Sequence, residues 1–282
     1  MPASASRHER CPHKSRRPRG PRSLQSLQRR AQCRFIPLPR TSGQSGVVLG
    51  SVPNSKPAHP HSAFGKPEAP PKANDFIQHV RIWSVNVRKF LLRRAELEAR
   101  LFNAGVDVLL LQETWLAEDT EEIRLSGFYL VGRLDRTSGS KQGYGGIAIF
   151  AREGFSSICL LELSKDAERA WCVLHTNIGS LLIGNWYRPP DEQGASFASF
   201  ESEIERLRHD HVEIIVAGDL NIHHKKWLRH SNANTTLGER LWDICSSFGL
   251  KQLVRDPTRG DYLLDMVLAD IGDFAKVRCY RR

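Results

Sequence analysis

The 282-residue sequence predicts an α/β protein, a four-layer α-β-β-α sandwich of two mixed, largely antiparallel sheets. Three observations predict it. Short apolar runs, several of them β-branched and bounded by Gly or Pro, read as buried strands. Between residues 145 and 187 four such runs follow one another with close turns, which points to antiparallel pairing rather than a doubly wound parallel sheet. Three stretches with apolar residues at helical spacing interrupt the runs, placed to return strands to the two sheets.

Residues 1–74 fall outside this pattern. They hold 12 of the 15 prolines and 14 Lys/Arg against Glu9 and Glu68, a net charge of +12, with no apolar periodicity. Such a segment buries too little surface to offset its ordering entropy and is expected to be disordered. Its composition also fits a mitochondrial transit peptide, a nuclear or nucleic-acid tether through Lys14-Ser-Arg-Arg-Pro-Arg19, or an unselected extension of the reading frame. Residues 75–282, expected to form one domain, hold 27 basic and 29 acidic groups, a net of −2. The formal charge of +10 therefore belongs to the N-terminal segment and says nothing about the partners of the domain.

The cysteines Cys11, Cys33, Cys159, Cys172, Cys245 and Cys279 contain no Cys-x-x-Cys pair, and three of the last four lie in apolar runs. Reduced, buried thiols are expected rather than a disulfide framework or a zinc site. No apolar stretch reaches the length of a membrane span, and no apolar secretory core opens the chain; a soluble intracellular protein is expected.

Within the domain, residues 76–87 read as a strand with Ile82, Ser84 and Asn86 on one side and Trp83, Val85 and Val87 on the other. Leu91, Leu92, Ala95, Ala99 and Phe102 form a helical stripe over 91–103, stopped by Gly105. Residues 106–112 form a nearly continuous apolar run closed by Glu113, and residues 127–131 form a further strand before a polar loop over 133–143. The four hairpin strands span 145–150, 158–163, 170–175 and 181–187, and Pro189 and Pro190 end the last of them because proline has no N–H for the ladder. A helix over 196–209 uses Phe197, Phe200, Ile204 and Leu207. The run from Val212 to Val216 is a buried strand leading to Gly218 and Asp219. Thr236-Leu-Gly-Glu239 fits a capping box opening a helix whose core face is Leu237, Leu241, Ile244, Cys245 and Phe248. Residues 251–255 and 262–269 are the last strands.

Polar residues at the ends of these strands are the candidates for chemistry. Asp219 and Asn221 lie two apart, so on an extended chain they point to one side, a carboxylate acceptor beside a neutral amide donor. Both types also start turns, and that plain reading stays open on this stretch alone. Glu113 suits a hard cation such as Mg²⁺ but also fits a strand's exit to solvent. Asn86 could support the same ion or cap a turn. Asp265 sits in Leu-Leu-Asp-Met-Val-Leu-Ala, where burying an unpaired carboxylate costs several kcal/mol or more, so a hydrogen-bonding or charged partner is required.

Taken in order, Ser84-Val-Asn86-Val-Arg88, Leu109-Leu-Leu-Gln-Glu113-Thr-Trp115, Gly145-Gly-Ile-Ala-Ile-Phe150, Asn185-Trp-Tyr187-Arg-Pro-Pro190, Gly218-Asp219-Leu-Asn221-Ile-His-His-Lys-Lys-Trp227 and Leu264-Asp265-Met-Val-Leu268 resemble the endonuclease/exonuclease/phosphatase family. The Tyr-Arg-Pro-Pro and Asn-x-His-His-x-x-Trp variants are most similar to the apurinic/apyrimidinic-type endonuclease domain of non-LTR (LINE-type) retrotransposons. The resemblance covers roughly residues 78–280.

It implies a metal-dependent phosphodiester hydrolase that nicks DNA, with Mg²⁺ (or Mn²⁺) held by Glu113 with Asn86 beside it. Asp219 would orient or deprotonate the attacking water, Asn221 and Tyr187 would donate to the scissile phosphate, and Arg188, His223 and His224 would touch substrate. In the family the position of Asp265 orients a catalytic histidine belonging to a last motif, Ser-Asp-His. No histidine follows His230 here, so a C-terminally truncated domain lacking its final strand is expected. The alternatives are an inactive remnant that binds nucleic acid through the basic N-terminal segment, and a phosphodiesterase of the same family acting on a lipid headgroup.

Overall fold

A computed structural model describes residues 80–117, 119–120, 123–137, 143–176, 179–208, 213–270 and 277. The N-terminal segment expected to be disordered lies outside the described residues, as do residues 76–79 of the first expected strand. The elements run β1 (Ile82–Asn86), α1 (Phe90–Leu101), β2 (Val108–Gln112), β3 (Phe128–Leu134), β4 (Ile147–Arg152), β5 (Ile158–Leu163), β6 (Glu168–Thr176), β7 (Gly179–Tyr187), α2 (Ala195–Leu207), β8 (Glu213–Asp219), α3 (Thr236–Ser247), β9 (Lys251–Gln252) and β10 (Asp265–Ala269). They form two sheets, of order β1-β2-β4-β3 and β5-β6-β7-β8-β10-β9. Pairs β1/β2 and β7/β8 are parallel and the others antiparallel, so both sheets are mixed, as expected.

Strand alternation sorts the apolar residues into layers. In β2, Val108 and Leu110 join the cluster between the sheets, while Leu109 and Leu111 join the one under α1. Trp83, Val85 and Val87 likewise face α1, and Ile82 faces the other sheet. On the far side, α2 lays Phe197, Phe200, Ile204 and Leu207 on the six-stranded sheet, as its periodicity predicts. Phe200 stacks on Trp171 (6.2 Å between centroids) and lies tilted against Trp186 (4.5 Å), and emptying such a site costs roughly 3–5 kcal/mol. Arg169 of β6 is buried in this layer, paired with Glu203 at 2.7 Å and lying over the Trp186 ring. The layers are therefore α1, four strands, six strands, and α2 with α3.

Three local expectations change. The stripe Leu91, Leu92, Ala95, Ala99 and Phe102 faces solvent, with Leu92 73 % and Phe102 86 % exposed, and α1 buries Phe90, Leu97 and Leu101 instead. Those three residues also share a face at helical spacing, and the sheet beneath selects between the two stripes. The cap of α3 is Thr235 rather than Thr236: its hydroxyl accepts from Gly238 N at 3.0 Å and donates to His223 O at 2.8 Å. The capping-box glutamate, Glu239, turns away to His224. Among the described cysteines Cys172 and Cys245 are buried thiols, as expected, but Cys159 is exposed.

Candidate active site

The parallel pairs end at one rim of the sandwich. Asn86 and Gln112 are register partners, so Glu113 emerges one residue beyond β2 beside Asn86. Across the other sheet Tyr187 pairs with Asp219 and Asp219 with Asp265, three side chains in one row. Gly218 lets β8 reach this position: a Cβ there would stand 1.7 Å from Trp186 O, inside backbone that has no room to give. Behind the rim, Gln112 Nε2 donates to Asn185 Oδ1 (2.7 Å), and Asn185 Nδ2 donates to Leu111 O and Ala148 O (both 3.0 Å), tying the sheets together through a buried polar seam.

One amide nitrogen joins the two sheets at the site itself. Asn86 Nδ2 donates to Glu113 Oε1 at 2.6 Å and to Asp219 Oδ2 at 2.5 Å. Asn86, Glu113 and Asp219 are all buried. The oxygens Asn86 Oδ1 and Asp219 Oδ1 are buried without a hydrogen-bond donor. Buried polar atoms are normally satisfied, so two orphaned acceptors beside the Glu113 carboxylate mark a place for a cation. All three groups offer hard oxygen, the donor type of Mg²⁺ or Mn²⁺ rather than of zinc or copper. Among the described residues no three His, Cys, Asp or Glu side chains form such a group; here the third donor is an amide. The backbone is strained around them. Arg88, Lys89, Glu113, Trp115 and Asn221 all have positive φ without being glycine, and such residues gather where a site over-determines the chain.

Burial raises the pKa of Asp219, and the neighbouring Asp265 charge adds to it, while Arg259 and Asn86 oppose the rise. Burial also raises that of Tyr187, assisted by the charges of Glu113 and Asp219, so Tyr187 stays a phenol able to donate. Asn221 is linked to Asp219 through Arg259 rather than standing beside it on an extended strand. Strand β8 stops at Asp219, and Asn221, in the left-handed region, turns its Oδ1 to Arg259 and its Nδ2 to Arg188 O (2.9 Å).

Arg188 and His224, expected to touch substrate, are turned inward. Arg188 is 1 % exposed and spends its guanidinium on Glu192 and on the carbonyls of Leu220 and Asn221, bracing the loop after β8. His224 is equally buried, with Nε2 2.5 Å from Glu239 Oε2. His223 stays half-buried at the rim, edge-on to Tyr262 at 5.4 Å, and burial lowers its pKa. Asp265 lies at the start of β10, its backbone N donating to Thr258 Oγ1 at 2.9 Å. Two groups escape the sequence reading. Gln112 and Asn185 sit inside recognisable motifs, so their place was in view though their partnership was not. Arg259, in a polar turn, contacts both Asp219 and Asn221, and no spacing signals it.

The family model described as Endonuclease/Exonuclease/phosphatase matches residues 83–271, more than half of the chain. The chain belongs to the endonuclease/exonuclease/phosphatase family. The endonuclease domain of TRAS1, a telomere-specific non-LTR retrotransposon, has a similar structure, with TM-score 0.51 and 20 % identity over 67 % of this chain and 83 % of that one. The AP endonuclease LMAP from Leishmania major is similar too, with TM-score 0.51 and 15 % identity over 68 % of this chain and 79 % of that one. Both show the fold. No curated protein is a significant match. Membership of the endonuclease/exonuclease/phosphatase family supports a phosphodiester hydrolase, and its enzymes generally use divalent metal ions. No helix among the described residues is long and apolar enough to cross a membrane.

Proposed function

We propose that the chain is a divalent-metal-dependent phosphodiester hydrolase that nicks DNA, of the retrotransposon-endonuclease kind. One observation carries the reading: five strands from two sheets bring Asn86, Glu113, Tyr187, Asp219 and Asp265 to one rim, with Asn86 bridging the two carboxylates. Glu113 and Asn86 would hold the ion, leaving Asp219 Oδ1 for the attacking water. A bound Mg²⁺ or Mn²⁺ neutralises phosphate charge and stabilises the departing alkoxide.

The protein's own groups do the rest. Asp219 accepts a proton from water as the water oxygen bonds to phosphorus; the bridging P–O bond breaks, and the leaving alkoxide takes a proton from solvent. The Tyr187 phenol donates to a non-bridging oxygen, where charge builds in the transition state; one such donor contributes roughly 3–4 kcal/mol in comparable sites. Bordering the rim, Arg88, Lys89, Lys225 and Lys226 are exposed cations suited to a phosphate backbone. The Trp115–Tyr144 pair (4.8 Å between centroids) adds aromatic surface for bases. The retrotransposon origin of the similar TRAS1 domain favours DNA over a lipid headgroup.

The test is nicking of supercoiled plasmid with Mg²⁺ or Mn²⁺. Glu113→Ala and Asp219→Ala are expected to abolish it. Equal nicking in the presence of chelator, or by Glu113→Ala, sinks the reading.

A further inference from the structure

Arg259 lies in none of the residues quoted for the family resemblance, yet it is bound into the site from below. Arg259 N donates to Tyr262 O (2.9 Å) and Tyr262 N to Arg259 O (3.1 Å), closing a tight turn in which Gly260 takes the left-handed conformation (φ +59°). Thr258, buried at the base of the turn, accepts from Leu264 N (3.0 Å) and Asp265 N (2.9 Å) through Oγ1. The turn is thereby fixed to the first residue of β10, whose register partner is Asp219.

From this base the guanidinium reaches Asp219 Oδ2 with Nη2 and Asn221 Oδ1 with Nη1 (3.2 Å). Its side chain remains 36 % exposed while that of Asp219 is fully buried. A guanidinium has five N–H donors in a rigid fork, and these two contacts leave others for a further acceptor.

The rim needs such a group. Asp219, Asp265 and Glu113 place three carboxylates where a phosphate must approach. His224 is committed to Glu239, and His223 packs on Tyr262. Among the described residues, Arg259 is the cation in direct contact with Asp219.

We propose that Arg259 is the phosphate-gripping cation of this site: it orders Asp219 and Asn221 and donates its remaining N–H groups to the scissile phosphate. This rests on the phosphodiester-hydrolase reading. A guanidinium anchored on one carboxylate meets a non-bridging oxygen without a change of rotamer, so its charge is in place before the transition state forms.

Two variants of the full chain separate this role from a structural one. Arg259→Gln keeps a donor for Asp219 and Asn221 but removes the charge; Arg259→Lys keeps the charge but loses the fork. Thermal melting checks that each is folded. With Mg²⁺, kcat and KM for plasmid nicking are measured. With Ca²⁺ to suppress turnover, binding is compared for nicked duplexes bearing a 5′-phosphate or a 5′-hydroxyl at the nick.

Arg259→Gln is expected to lower kcat by about 100-fold with little change in KM. Its preference for the 5′-phosphate should fall by about tenfold or more. Arg259→Lys should keep most of that preference. A wild type that nicks while Arg259→Gln retains kcat and phosphate preference overturns the role of Arg259 alone, as does a folded Arg259→Lys that loses as much as Arg259→Gln. If the wild type neither nicks nor prefers phosphate, the phosphodiester reading falls and this role with it. If Arg259→Gln does not fold, the Arg259→Lys comparison decides: full loss of the preference overturns the role, and retention supports it.

Discussion

Replacing Asn86 by Ala removes a single nitrogen that donates to both carboxylates of the site, at 2.6 Å to Glu113 and 2.5 Å to Asp219. A hydrogen bond to a charged acceptor contributes about 1.5–3 kcal/mol. Asp219 keeps Arg259, and Glu113 keeps the looser Arg88 contact at 3.4 Å, so the low end applies to each bond. The loss is then about 3 kcal/mol, or a fall in Tm of about 6–12 °C for a domain of this size. Calorimetry at neutral pH in chelator measures it. With the side-chain amide gone the site also loses the Asn86 oxygen offered to the ion, so added Mn²⁺ should raise the Tm of Asn86→Ala by less than it raises that of the wild type. An unchanged Tm in chelator would show that the bridge does not hold the sheets together here. An equal Mn²⁺-induced rise in both proteins would place the ion elsewhere.

Four other outcomes are expected. Burial alone would raise the pKa of Glu203, but donors from Arg169, Ser164 and Trp171 outweigh it and the pKa is lowered. The stability this lends is present above the unfolded carboxylate value, about 4.3, and is lost as pH falls through the lower folded value; urea melts across the acid range should be flatter for Glu203→Gln. At neutral pH Glu203→Ala strands a buried guanidinium and should cost about 3–5 kcal/mol, read from the same melts. Gly218→Ala forces β7 and β8 apart beside Asp219, and a calorimetric loss of about 1–3 kcal/mol or more is expected together with lost nicking. With Cys11, Cys33 and Cys279 replaced by Ser, Cys159 should react with a thiol reagent in the native protein. Cys172 and Cys245 should react only after unfolding, because burial pushes the Cys245 thiol up to about 12 and Cys172 higher still.

Strands β1, β2, β4, β7, β8 and β10 were legible because each is a short apolar run closed by Gly, Pro or a polar residue, and that pattern reflects burial on both faces. The helix after β1 was legible as a helix but not in its orientation. Its sequence carries two stripes, and Leu92 and Phe102 on one are as apolar as Phe90 and Leu101 on the other. Asn86, Glu113, Tyr187, Asp219 and Asp265 could be chosen because polar residues ending apolar strands are conspicuous, whereas the uses of Arg188 and His224 depended on Glu192 and Glu239. Arg259 gave no sign at all, since an arginine in a polar turn looks like any other.

By itself the sequence determined the α/β class, the order of the strands and the polar residues that end them, because these follow from local periodicity and from the cost of burying polar groups. Only the tertiary structure decided which of those residues meet. Asn86 and Asp219 stand 133 positions apart, and their contact exists because two sheets pack with parallel strands ending at the same rim. Register carries Asp265 to Asp219, and a turn pinned by Thr258 swings Arg259 onto the same carboxylate. Local chemistry proposed the members of the site. Packing between distant segments, to which no short window of sequence is sensitive, selected them and added one more.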